Sequence, residues 1–228
     1  DPKSYTQKKS EEFLNISFKK NIEFKKLNFS YDDKIILDNF DLEIKKNQTI
    51  GIKGKNGSGK TTLVKIICGL LQPNNGSLYV DGENIDTSSR NWKKLIGYIP
   101  QEINLIEGTI KDNLCIGIKN HEFNEKKLNS IIENVQLNEF LDKLPKGLDT
   151  DIGELGSKIS GGEKQKIGIC RALFRDPDIL IFDESTSALD EESEIKFIET
   201  LNTIFNDKTK IIISHRPEAF KFCDRIYE

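Results

Sequence analysis

Methionine is absent from all 228 residues, the first position included. A natural complete chain begins with one, so the sequence is expected to be a piece excised from something longer, cut at both ends. Also missing is any apolar run approaching the ~20 residues of a membrane-spanning helix, and the mean hydropathy is −0.50. No basic excess exists either: 34 Lys and Arg stand against 37 Asp and Glu, giving a net charge of −3 and a pI near 5.7. That excludes a global basic field for nucleic acid, and no nucleic-acid partner is expected. Cysteine is sparse, and Cys68, Cys115, Cys170 and Cys223 are widely scattered without a C-x-x-C pair. Each lies in an apolar or helical run, which points to reduced, buried thiols in a cytosolic setting rather than a metal site or redox couple. Internal repeats and a heptad array long enough for a coiled-coil arm are lacking as well.

What is present is a change of periodicity along the chain. Residues 1–20 are rich in Lys, Glu and Ser, and read as a linker or frayed arm. From Ile22 an alternation runs through Phe24, then Leu27, Phe29 and Tyr31, with a phase slip at Lys25–Lys26 that a bulged strand requires. Asp32–Asp33 reads as a turn, 35–44 as a second strand, and 49–53 as a short strand leading into Gly54. Leu63, Ile66, Ile67 and Leu70 have helical spacing, ended by Gly69 and Pro73. Strands are expected at 78–80, 83–85 and 95–100, and again at 178–182 and 210–214. Helices are expected at 109–115, 125–135, 163–174 and 191 to about 205. The order is a β-rich start, an α/β core, a helical insertion, then the core again.

Residues 54–62 read G-K-N-G-S-G-K-T-T, which fits a glycine, four residues, then Gly-Lys-Ser/Thr between a strand and a helix. Gly54, Gly57 and Gly59 let successive N–H groups turn toward phosphate oxygens, and the helix start adds its positive end. Lys60 is expected to reach the β- and γ-phosphates and Thr61 to place its hydroxyl on Mg²⁺; Asn56, Ser58 and Thr62 complete the candidate ATP-binding run. The apolar run Ile179, Leu180, Ile181, Phe182 suits a strand buried on both faces. Asp183 at its end is placed to hold Mg²⁺, commonly through water. Glu184 either caps the following helix or orients an attacking water, and beside a phosphate loop the second reading is preferred.

With these runs in place, residues 22–228 resemble the nucleotide-binding domain of ATP-binding cassette (ABC) proteins. Ile159–Ser160–Gly161–Gly162–Glu163 is similar to that family's Leu-Ser-Gly-Gly-Gln signature, with Ile and Glu as departures. The resemblance implies that Ser160, Gly161 and Gly162 face the γ-phosphate of ATP held by an opposite subunit. It further implies that Tyr31 stacks on adenine, although alone it reads as a strand-end core residue. Gln101 is implied to contact Mg²⁺ and report to the membrane domain, and Ser187–Ala188–Leu189–Asp190 to communicate between two sites. His215 matches the switch histidine at the γ-phosphate; by itself a strand-end histidine is structural, so its role rests on order and spacing.

Two stretches resemble exporters in particular. Thr150–Asp151–Ile152–Gly153–Glu154–Leu155–Gly156 is similar to a Thr-x-Val-Gly-Glu-x-Gly loop, and Glu107–Gly108–Thr109–Ile110 with Asn113 to a Gly-Thr-Ile-x-x-Asn segment. Leu105–Ile106 stands where exporters often carry Leu-Phe. In exporters such loops receive the cytosolic ends of transmembrane helices.

The expectation is therefore an α/β fold: a P-loop NTPase core with an N-terminal antiparallel β lobe and an inserted helical lobe at about 102–175, the ABC ATPase fold. Residues 1–20 would be the linker from a transmembrane domain and 21–228 the nucleotide-binding domain. The implied function is ATP binding and hydrolysis, with Mg²⁺, powering export or flipping through a transmembrane domain of the same chain. The implied location is the cytoplasmic face of the cell inner membrane. Two copies, a homodimer, would close head to tail on two ATP molecules, with Lys60, Glu184 and His215 as the catalytic set. Lipid, lipid-linked sugar, peptide and drug exporters share these motifs. The competing reading is a soluble ABC-type ATPase acting on DNA or ribosomes, which would carry coiled-coil arms, tandem cassettes or a basic face.

Overall fold

The computed structural model describes residues 16–55, 57–153, 159–185 and 191–228. Most of the stretch expected to be a linker, 1–15, lies outside them, as do Asn56, 154–158 and 186–190. Two sheets organise the described residues. The first is antiparallel, with strands β1 (Asn21–Tyr31), β2 (Lys34–Lys45), β4 (Asn75–Val80) and β5 (Glu83–Ile85) in the order β2-β1-β4-β5. The second has parallel pairings between β3 (Thr49–Ile52), β6 (Ile96–Ile99), β7 (Ile179–Asp183), β8 (Thr209–Ile213) and β9 (Arg225–Tyr227), in the order β6-β7-β8-β3-β9. Parallel strands need crossovers, and α1 (Lys60–Ile67), α2 (Arg90–Lys94) and α7 (Glu191–Ile204) lie on such connections. Between β6 and β7 the chain inserts α3 (Ile110–Leu114), α4 (Glu125–Asn134), α5 (Asn138–Leu141) and α6 (Gly161–Phe174).

The expected phase slip is present. The β1–β2 register shifts between Phe24 and Leu27, where Lys26 takes φ 50° and donates its N–H to Asp41 Oδ1 at 2.7 Å. An extra residue there keeps Phe24 and Leu27 both on the buried face.

Strand β7 shows why a continuous apolar run was needed. Leu180 and Phe182 enter one core, beside Leu128, Ile167 and Ile212; Ile179 and Ile181 enter a second, beside Phe24, Ile50, Ile66 and Ile213. The parallel sheet is thus buried between the helical insertion and the antiparallel sheet with α1, and its strand ends are held from both faces.

Several expectations need correction. Phe18, within the expected linker, is 6% exposed in the second core, and Asp81 accepts the N–H groups of Lys19, Lys20 and Asn21. The end of that stretch is therefore tied down. Only Cys68 and Cys170 are buried, and burial pushes both thiols up to about 12; Cys115 and Cys223 are half-buried. The single-turn helices α2 and α5 had no periodicity to reveal them. In α2, Trp92 is fully buried and donates Nε1–H to Ile67 O at 2.7 Å, closing the end of α1.

Candidate functional site

At the ends of β3, β7 and β8 the chain turns sharply three times, and these turns assemble the site. Strand β3 runs through residues 53–59 into α1, the strand–loop–helix order that a phosphate loop requires. Gly59 is the N-cap of α1 at φ 94°, and a Cβ there would lie 2.8 Å from Ile36 Cγ2. Gly54 is needed for another reason: its φ is ordinary, but a Cβ would meet Ser58 Oγ at 2.5 Å. No side chain caps α1, so its first-turn N–H groups face outward with the helix dipole behind them. Lys60 is buried, and its Nζ donates to the carbonyls of Gly54 at 2.8 Å and Lys55 at 3.0 Å.

This loop forms one wall of an open cleft of about 390 Å³, lined by Gly57, Gly59, Lys60, Thr61, Thr62 and Ile36. Gln101 and Glu184 complete the lining. Gln101 is exposed, just beyond β6. Glu184 follows β7 at φ 49°, held there by its N–H to Ile213 O at 2.9 Å. That conformation is costly for a residue with a Cβ. Among the described residues α7 runs from Glu191, and 186–190, which join Glu184 to it, lie outside them. Its Oε2 lies 3.8 Å from His215 Nδ1, just past β8. The sheet order that makes β7 and β8 neighbours explains this pairing across the chain.

Asp183 ends β7 at 6% exposure and accepts the Tyr98 hydroxyl on Oδ2 at 3.0 Å. Burial pushes its carboxyl above the ordinary range and the charge of Glu184 adds to this. The Tyr98 hydrogen bond, Lys60 and Lys65 pull the other way without cancelling it. The Thr61 hydroxyl, Gln101 amide oxygen and Asp183 carboxylate are all hard oxygen donors. One buried carboxylate completed by phosphate oxygens is a habitual Mg²⁺ arrangement. The donor set therefore fits that metal.

Tyr31 is 46% exposed at the end of β1, with its ring edge-on to Phe29 at 4.9 Å. The strand-end core reading is corrected: Phe29 fills the core and leaves the Tyr31 ring open. Tyr98 was not singled out from the sequence. Its partner carboxylate sits on the neighbouring strand, and only the β6–β7 register brings them together.

Ser160, Gly161 and Gly162 do not line this cleft. Ser160 caps α6: its Oγ accepts from Glu163 N at 3.3 Å, while Glu163 Oε2 accepts from Ser160 N and Oγ, both at 2.8 Å. The two exporter-like stretches meet in an isolated antiparallel bridge, Thr109 to Asp151, with Ile110 N donating to Thr150 O and Ile152 N to Gly108 O. Asn113, fully buried, clamps the first stretch by bonding Ile106 N, Ile106 O and Thr109 O. Arg171 of α6 ties the first stretch to the helix through Asn113 O and Asn104 O. Asn56, 154–156 of the second stretch and Ser187–Asp190 lie outside the described residues.

A family profile described as ABC transporter matches residues 37–187. A putative export ATP-binding/permease protein of Rickettsia bellii is 38% identical over 209 residues, covering 90% of this chain and 36% of that protein. The alpha-hemolysin translocation ATP-binding protein of Escherichia coli is 40% identical over 209 residues, 90% of this chain and 29% of its own length. A solved structure of a bacterial Atm1-family ABC exporter with ATP bound aligns at TM-score 0.84 and 29% identity, covering 93% of this chain and 39% of the exporter. The chain spans about a third of the length of these proteins.

Proposed function

The chain belongs to the ABC transporter family, and on that premise we propose that it binds and hydrolyses ATP to power export or flipping across a membrane. Residues 21–228 act as the nucleotide-binding domain, with the helical lobe at about 102–175. A transmembrane domain of the same chain is its partner, at the cytoplasmic face of the cell inner membrane, and a second copy closes on it head to tail. The reading is carried by one observation: Gly57, Gly59, Lys60, Thr61 and Thr62 of the loop line the same cleft as Glu184.

ATP lies in that cleft, its adenine against the open ring of Tyr31 and its phosphates along Gly54, Asn56, Gly57, Ser58, Gly59 and Thr62. Lys60 exchanges its two loop carbonyls for phosphate oxygens, so the charge is already positioned before nucleotide arrives. Mg²⁺, held by Thr61, Gln101 and Asp183, supplies charge neutralisation at the phosphates. Glu184 accepts a hydrogen bond from water and takes its proton as the water attacks the γ-phosphorus, whose bond to the β–γ bridging oxygen breaks so that ADP leaves and inorganic phosphate forms. His215 holds Glu184 in orientation and contacts the γ-phosphate. Ser160, Gly161 and Gly162 approach the ATP of the other copy. Because ATP binds the closed pair better than the open one, hydrolysis reopens it.

The test is hydrolysis by Glu184→Gln. Loss of about 10²–10⁴-fold in rate with ATP binding retained is expected. Equal rates would sink the assignment of the base.

A further inference from the structure

The hydrogen bond between Tyr98 and Asp183 is not accounted for by the roles above. Tyr98 sits on β6 and pairs in register with Ile181 of β7, so its ring lies along the strand that ends in Asp183. Its hydroxyl donates to Asp183 Oδ2 at 3.0 Å. Asp183 is 6% exposed, and a buried carboxylate is unfavourable unless its oxygens are engaged. Beyond Tyr98 the same strand leads through Pro100 to Gln101, which lines the cleft. One phenol thus links the strand bearing the Gln101 amide to the carboxylate on the next strand.

We propose that Tyr98 is a positioning residue for the divalent cation: by holding Oδ2 of Asp183 it fixes the carboxylate in a single orientation for metal binding. This rests on the reading of Asp183 as a metal ligand. Outer partners of a ligand fix its orientation, so the metal does not have to order the carboxylate as it binds. A phenylalanine keeps the ring and its packing but cannot donate. Asp183 then loses its orienting bond, and metal affinity falls while the loop's own hold on nucleotide does not.

The experiment measures Mn²⁺ binding by electron paramagnetic resonance, in the presence of ADP, to wild type, Tyr98→Phe and Asp183→Asn. Nucleotide affinity is measured separately in EDTA. For Tyr98→Phe the half-saturating Mn²⁺ concentration should rise about tenfold, with affinity for ADP in EDTA unchanged. A ring that served only to pack the sheet would not move the metal titration. If Asp183→Asn weakens Mn²⁺ binding and Tyr98→Phe stays within about twofold of wild type, the positioning role is overturned and the metal site stands. If neither substitution shifts Mn²⁺ binding, the metal assignment of Asp183 fails and the role of Tyr98 falls with it. Thermal melts of both variants verify that the folded protein is being titrated.

Discussion

The cleft edge and the helical-lobe edge are built on opposite principles. At the cleft, Gly57, Gly59 and Glu184 all have left-handed backbone, α1 starts without a side-chain cap, and Lys60 rests on its own loop's carbonyls. At the helical lobe, α3 and α6 both begin with complete capping boxes, Thr109 with Asp112 and Ser160 with Glu163. Asn113 is bonded on both amide atoms, and Arg171 joins the loop to α6. One edge keeps donors for a ligand and carries strain to do so. The other spends its donors on itself, which keeps that edge rigid. Ser160 stands between the two: it caps α6, yet is proposed to meet another copy's ATP.

Substitutions at the two edges should therefore separate ligand binding from stability. The largest effect is expected at the cleft. Lys60→Ala removes a charged donor, and calorimetry should find ATP affinity lower by about 3 kcal/mol, roughly a hundredfold, with little change in melting temperature. A matching loss of stability would mean that Lys60 serves the fold and not the ligand.

A smaller effect of the other kind is expected at the helical lobe. Asn113→Ala removes a fully buried amide and leaves the Ile106 N–H and the Ile106 and Thr109 carbonyls without that partner, and should lower unfolding free energy by about 2 kcal/mol in urea titrations. Affinity for ATP should not change. Impaired ATP binding in a folded variant would break the separation.

The smallest effect concerns Asp112, whose carboxyl the N–H and hydroxyl of Thr109 hold below the ordinary range. A depressed folded pKa stabilises the fold above the unfolded value of about 4, and the contribution is lost as pH falls from there through the folded value. Asp112→Asn should therefore melt slightly below wild type at neutral pH, and the gap should close in the acid range. A gap that widens with acid would reverse the sign and remove the capping role.

The two edges were not equally legible in the sequence. The loop at 54–62 was readable because its glycines and Lys60 act within a few residues of chain. The bulge at Lys25–Lys26 was readable because it shifts a hydrophobic alternation. Contacts that join distant segments were not. The Thr109–Asp151 bridge, the Tyr98–Asp183 hydrogen bond and the approach of His215 to Glu184 depend on which strands and loops lie side by side. Resemblance pointed to His215, but nothing local did. The left-handed turn at Glu184 was equally hidden, since glutamate has no preference for it and the Ile213 carbonyl on β8 holds it there. Trp92 sits in a single turn, which the Ser89 cap starts and burial of the indole holds in place.

That a second copy completes the cleft through Ser160 is the claim on which the proposed cycle depends. Sedimentation velocity on Glu184→Gln, with and without Mg-ATP, tests it directly. A monomer that becomes a dimer only with Mg-ATP is expected, and Ser160→Ala in the same background should weaken that dimer. A particle that remains monomeric while saturated with ATP would contradict it.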